Sequence, residues 1–292
     1  MSVVVRLPVD HVPPGAFTGT STFVQRAGCP ALELLEVRPR AQGGGAPLLF
    51  VHGAFSGAWS WNEGFLSYFG RRGRYAAAVS LRGHGGSEGR TALRKAGLDD
   101  LAGDVAAAID AMPEPPVVVG HSLGGYLAQM LLGRTRMRGL VLVGSIPPDG
   151  MSLVGPRLAL TDMRAWAEAI TASVTNSDAA TTWANIELLF GDGIPIERVR
   201  DYAARMVPES PRALAEAHFP RPITSAALAR VPTLVLNGAG DRLVWPATAL
   251  RTVLYHGAQH TVFPTGGHFL MLDPLAEDVA RVLDEWLSDR QL

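Results

Sequence analysis

The chain has 292 residues, 26 basic and 27 acidic side chains, and a formal net charge of −1. That balance argues against nucleic acid as a partner, because phosphate binding needs clustered excess cation. Cys29 is the single cysteine, which excludes an intrachain disulfide and a cysteine-based metal site; it reads as a small buried hydrophobe.

Apolar residues make up 47% of the chain and the mean hydropathy is +0.14, enough for a sizeable core and an apolar pocket. The length suits one large α/β domain, or one carrying an inserted subdomain. Lys95 is the only lysine, a bias we assign to base composition. The N-terminus has no basic head followed by a long apolar run, so no signal pattern is read there. No apolar stretch approaches the roughly 20 residues of a membrane helix. The expectation is a cytoplasmic enzyme, monomeric or homodimeric, with a small-molecule substrate and no membrane partner.

In chain order, residues 1–19 are rich in proline and glycine and read as an irregular lead-in. Thr22 to Gln25 and Leu32 to Val37 alternate as a β-hairpin. Pro47 to Val51 is a short continuous apolar run, the mark of a strand buried on both faces. A helix follows over 60–72, a strand over 75–81, and a helix over 98–112 with apolar residues at Leu98, Leu101, Val105 and Ile109. Strand 117–120, helix 123–134 and strand 139–143 continue the alternation, which implies a parallel sheet with helices on both sides. The rhythm then stops. From about 147 to 222 only amphipathic helical stretches appear, near 158–174, 181–190 and 196–206. Strand 233–236, helix 246–256, strand 261–263 and helix 275–287 complete the chain. The predicted organisation is a core of residues 1–146 and 223–292 with a helical cap of residues 147–222.

Gly120-His121-Ser122-Leu123-Gly124 lies between the strand Val117 to Val119 and the helix from Tyr126. A serine on a tight strand-to-helix turn between small residues has its hydroxyl lifted clear of the sheet, within reach of a substrate carbonyl. That hydroxyl is a weak nucleophile until a base takes its proton and a carboxylate orients the base. His268 follows the final strand in Gly266-Gly267-His268-Phe269, where two glycines free the loop to bend toward the serine. His52, His84 and His121 read as loop-holding residues, and His11, His218, His256 and His260 sit in no recognisable setting. Asp241 follows the penultimate strand and is the first-choice acid; an Asx-turn role competes with that reading. Asp149 is the alternative acid. The order Ser122, Asp241, His268 is that of nucleophile, acid and base. Two backbone N–H groups should hold the oxyanion: Leu123 at the helix start, and Ala54 in the loop His52-Gly53-Ala54-Phe55, with Phe55 second.

Together these motifs resemble the α/β-hydrolase superfamily. The likeness rests on His52-Gly53, Arg82-Gly83-His84-Gly85-Gly86-Ser87, Gly120 to Gly125, Gly240-Asp241 and Gly267-His268. It implies an eight-stranded, mostly parallel sheet, a Ser-Asp-His triad, and no cofactor or metal for the chemistry. His52 to Trp61 and His268 to Pro274 resemble the methylesterase and hydroxynitrile lyase branch. The lyases carry lysine directly after the histidine, where this chain has Phe269. Ser80 departs from the aspartate many relatives have before Leu81-Arg82-Gly83-His84-Gly85, which bears on a loop brace. Dehalogenases and epoxide hydrolases use an aspartate nucleophile, against which Ser122 argues.

The expected reaction is hydrolysis of a small, apolar, uncharged ester or lactone through an acyl-enzyme on Ser122. The same machinery also serves C–C hydrolysis, perhydrolysis and acyl transfer or cyclisation, and the same fold serves non-catalytic receptors. Candidate pocket walls in the cap are Met163, Trp166, Trp183, Leu189 and Phe190, each of which also reads as cap core. Phe55, Trp59 and Trp61 near the oxyanion loop, and Phe269 beside the histidine, complete the candidate contacts.

Overall fold

The computed structural model describes residues 3–6, 19–39, 44–152, 154–161, 163–164, 167, 189–191 and 193–292. Its strands are β1 (Val3–Arg6), β2 (Thr20–Arg26), β3 (Cys29–Val37), β4 (Leu48–Val51), β5 (Ala76–Val79), β6 (Val117–His121), β7 (Gly139–Val143), β8 (Thr233–Gly238) and β9 (Gln259–Phe263). They form one sheet in the order β1-β2-β3-β5-β4-β6-β7-β8-β9. β1, β2 and β3 pair antiparallel and β3 meets β5 antiparallel; every pairing from β5 to β9 is parallel. The mostly parallel α/β sheet is as expected, with a ninth strand added at its edge. That strand corrects the irregular lead-in: Val3 to Arg6 are β-prone residues that pair with Phe23 to Gln25 and Thr22.

The central strands are all-apolar because both their faces are covered. Successive residues of β4 divide between two cores. Leu49 and Val51 join Leu101, Val105, Tyr126 and Leu127 on one face; Leu48 and Phe50 join Trp61, Phe65, Phe69 and Leu283 on the other. The first face is covered by α3 (Leu98–Ala111) and α4 (Leu123–Met130). The second is covered by α1 (Trp59–Asn62), α2 (Phe65–Arg71) and the C-terminal helix 276–289. The single helix expected over 60–72 is two, broken at Gly64, which has φ −169° and ψ −40°.

Between β7 and β8 the described residues hold α5 (Val154–Thr161), α6 (Ile196–Arg205), α7 (Pro211–Glu216) and α8 (Ala226–Ala229), and no strand. The helix expected over 196–206 is α6. α7 was not anticipated, although Ser210 followed by Pro211 is a helix-start pattern and the Ser210 hydroxyl accepts the Ala213 N–H at 3.2 Å. The expected helix over 181–190 lies almost wholly outside the described residues, and that over 158–174 is described only in part. Cys29 is exposed rather than buried, because it opens β3 directly after the hairpin glycine Gly28 at φ +71°. α9 (Pro246–His256) and α10 (Ala276–Asp289) close the chain.

Candidate active site

Ser122 caps α4 with φ +49° and ψ −116°, a left-handed conformation that costs a non-glycine residue roughly 1–3 kcal/mol. The surrounding packing enforces it. A Cβ on Gly120 would lie 2.5 Å from Gly125 Cα, and one on Gly124 would lie 2.7 Å from Val51 O. The Ser122 N–H donates to Val143 O at 3.0 Å, and Ser122 O accepts from Tyr126 N–H at 3.1 Å. The serine is thereby pinned to β7 on one side and α4 on the other, half-buried at the strand ends.

His268 Nδ1 and Asp241 Oδ2 are 2.8 Å apart, and both side chains are buried. A carboxylate oxygen accepts, so Nδ1 carries a proton, and in the neutral ring Nε2 is the atom with the lone pair. The second oxygen, Asp241 Oδ1, accepts the N–H groups of Leu243 at 2.9 Å and Val244 at 2.8 Å. One carboxylate oxygen thus closes an Asx-type turn and the other meets the imidazole, so the two readings of Asp241 are compatible. Gly144, at φ +50°, follows the residue bonded to Ser122. A Cβ there would sit 3.2 Å from Asp241 Oδ2 and 3.3 Å from His268 Nδ1, so a glycine is what leaves room for Asp241 and His268 to meet. The His268 loop is closed by Asp273, which accepts the Gly267 N–H at 3.1 Å. The Ser122 hydroxyl makes no hydrogen bond to the imidazole among the described residues. Such contacts are commonly long in unliganded sites and tighten around substrate.

The neighbouring histidines are sorted by their partners. His121 Nε2 lies 3.1 Å from His268 O and must donate to it; its ring packs 4.7 Å from the His268 ring. Burial, and then the nearby His268, hold it well below the usual histidine range. His52 donates from Nδ1 to Gly53 O at 2.7 Å and accepts the Leu81 N–H at Nε2, which defines a neutral ring. Burial, and then His84, push it down to about 3. His256 belongs to a buried brace, 3.0 Å from Gln129 Oε1, whose amide holds Ser145 and Ile146.

The loop brace in question at Ser80 is supplied from β3. Ser80 Oγ accepts the Ala58 N–H at 3.0 Å and donates to Glu33 Oε2 at 2.8 Å, and the same carboxylate oxygen accepts Gly86 N–H at 2.9 Å. Arg82 in the same loop is fixed on buried Asp104 through Nε and Nη2. Glu33 was missed because its only signal in the sequence is a polar residue within an alternating strand.

Ala54 and Phe55 lie on the loop after β4, half-buried, and Phe55 is left-handed at φ +66°. No hydrogen bond engages the N–H groups of Ala54, Phe55 or Leu123 among the described residues. The inserted segment grips this loop and the histidine loop. Val207 N–H donates to Phe55 O at 2.9 Å, and Phe269 N–H donates to Leu189 O at 3.1 Å. An aromatic series runs along it: Trp59 to Tyr202 at 6.0 Å, Tyr202 to Phe190 at 5.9 Å, and Phe190 to Phe269 at 5.5 Å, all stacked.

Of the proposed pocket walls, Trp61 is corrected: it is fully buried against Phe50 and Phe65 and has no surface to offer a substrate. Met163 points outward, 62% exposed. Leu189 and Phe190 of the inserted segment and Phe269 of the histidine loop are buried, and Trp59 is half-buried. Trp166 and Trp183 lie outside the residues whose side chains are described. Asp149, the alternative acid, is half-exposed and paired with Arg251 at 2.9 Å, away from His268's partner. No group of three metal-ligating side chains occurs among the described residues, and no described helix is long and apolar enough to cross a membrane.

Three solved structures share the fold. An esterase from Exiguobacterium antarcticum superposes with a TM-score of 0.70 at 18% identity, over 91% of this chain and 98% of its own. The enol-lactonase from Burkholderia xenovorans gives 0.69 at 19% identity, over 91% and 99%. A putative aryl esterase from Burkholderia cenocepacia gives 0.67 at 22% identity, over 92% and 98%. Among curated proteins no sequence match was found. The model of the alpha/beta hydrolase family matches residues 48–282, a span that reaches from β4 into α10 and takes in Ser122, Asp241 and His268. The chain belongs to the alpha/beta hydrolase family.

Proposed function

We propose that this hydrolase is a cofactor-independent serine esterase acting on small, apolar, uncharged carboxylic esters or lactones. The observation that carries the reading is the buried 2.8 Å bond between His268 Nδ1 and Asp241 Oδ2, beside a serine bent to φ +49°. With Nδ1 committed to the carboxylate, Nε2 is the atom left to take a proton.

Ser122 Oγ attacks the carbonyl carbon as its proton passes to His268 Nε2. The N–H groups of Ala54 and Leu123 hold the resulting oxyanion, with the start of α4 adding favourable partial charge. The C–O bond then breaks and the leaving alkoxide takes the proton from His268. Water attacks the acyl-enzyme, gives its proton to His268, and the acid departs as Ser122 Oγ is reprotonated. We further propose residues 147–222 as the cap that selects the acyl and alcohol groups. The activities in the names of the structural relatives, esterase and enol-lactonase, fit a substrate of this class.

The test is Ser122→Ala with p-nitrophenyl acetate and butyrate. Turnover should fall by about 10⁴-fold or more, and a phosphonate probe should label the native chain but not the variant. Unchanged turnover in the variant removes this reading.

A further inference from the structure

His84 and Glu209 form a buried charge pair that the reaction scheme does not use. His84 lies in the loop after β5; Glu209 lies between α6 and α7 in the inserted segment. His84 Nε2 and Glu209 Oε2 are 3.3 Å apart, with neither side chain exposed. His84 Nδ1 lies 3.0 Å from Arg82 O. One ring nitrogen thus bonds a carbonyl and the other faces a carboxylate at ion-pair distance, an arrangement that favours the imidazolium. The neighbouring His52, its ring 5.0 Å away, faces one acceptor and one donor and stays neutral.

Both ends of the pair lead to the same loop. On the core side, the His84 ring packs against His52, whose Nδ1–H holds Gly53 O at 2.7 Å. On the inserted side, Glu209 follows Val207, whose N–H holds Phe55 O at 2.9 Å. Ser210 N–H closes on Glu209 Oε1 at 2.7 Å, and the Ser210 hydroxyl donates to Ala96 O at 2.5 Å. Residues 53–55 are therefore held between two strands of contacts that the charge pair joins.

We propose that His84 and Glu209 are positioning residues whose buried pair clamps the oxyanion loop between the sheet and the inserted segment. The name of that loop rests on the ester reading above; the clamp itself does not. The charged groups around His84 are Glu209, which favours its cation, and Arg90 and the neutral His52 ring. Burial lowers its pKa, but Glu209 and the Arg82 carbonyl outweigh burial and raise it above the ordinary histidine value. The stabilisation is then complete below the unfolded value of about 6.5 and is lost as pH rises through the folded one. Above it, Glu209 is a buried charge without a counter-ion.

The experiment is amide hydrogen exchange on the full chain, wild type against Glu209→Gln, with His84→Gln as a second variant. Protection factors of two segments, at the Leu81 amide that bonds His52 and at the Val207 amide that bonds Phe55 O, should fall together by about tenfold in either variant, while β6 residues 117–121 keep theirs. In the wild type the same two segments should lose protection from neutral to alkaline pH, and Glu209→Gln should abolish that dependence. Turnover of p-nitrophenyl butyrate should fall about tenfold with KM within about threefold, less than removal of an oxyanion donor outright. Unchanged protection at Leu81 and Val207 overturns the clamp. So does an equal loss at 117–121, or failure of both variants to fold, since either assigns the pair to fold stability. A wild type without turnover that shows the exchange pattern sinks the ester reading and leaves the clamp standing.

Discussion

The turn that carries Ser122 is shaped chiefly by backbone packing, whereas the inserted segment beside it is fastened by charges and aromatic faces. At the turn, Gly120, Gly124 and Gly125 leave no room for side chains, and the N–H of Ser122 is tied to β7. Close packing of this kind admits one arrangement and is indifferent to salt and pH. In the insertion, Tyr202 stacks between Trp59 and Phe190, Arg205 lies 4.2 Å over the Trp59 ring, and Glu63 binds Arg205 at 2.5 Å. Such contacts are separable and individually modest. The comparison teaches that the serine turn can stay fixed while the contacts of the insertion vary.

The sharpest way to break this contrast is Asp241→Asn. The turn should be untouched, yet kcat should fall by roughly 10⁴-fold, because an amide no longer secures the imidazole tautomer. Steady-state ester hydrolysis measures it; a loss under tenfold would mean that the 2.8 Å pair is idle. Tyr202→Leu, in the insertion, should cost about 1–2 kcal/mol by urea denaturation, from two stacked pairs at roughly 0.5–1.5 kcal/mol each. It should also alter the ratio of kcat/KM between acetate and butyrate esters while phosphonate labelling of Ser122 persists. If the ratio is unchanged, this aromatic series plays no part in selecting the acyl chain. Smallest of all, Arg205→Ala removes a 41%-exposed partner of Glu63 and should cost less than about 1 kcal/mol. Thermal denaturation at low and high salt would register it; a cost of several kcal/mol would show that the surface contacts also hold the insertion rigidly.

What was legible in the sequence follows the same division. Strands buried on both faces announce themselves as apolar runs, so β4, β6, β7 and β8 could be placed within a residue or two. Ser122, Asp241 and His268 stand out in the sequence as candidates because each follows a strand-like apolar run, and the structure brings Asp241 and His268 into contact. β1 escaped because it is short and lies among prolines, and its strand character comes from pairing with β2. Trp61 was misjudged for a different reason. Its position soon after the loop His52 to Phe55 suggested a pocket, but α1 turns its indole onto Phe50. The His84–Glu209 pair was illegible, since a glutamate between two prolines carries no sign of the histidine that meets it across the fold.

The brace shared by Ser80 and Glu33 bears on how this chain can be recombined with its kin. The support is assembled from β3, which gives Glu33, and the loop after β5, which gives Ser80. Transplanting the loop after β5 without β3 would leave its serine and glycine amides unanchored, and restoring an aspartate at position 80 would set two carboxylates facing each other inside the same brace. Strand β3 and the loop are thus a single structural unit, to be exchanged together or not at all.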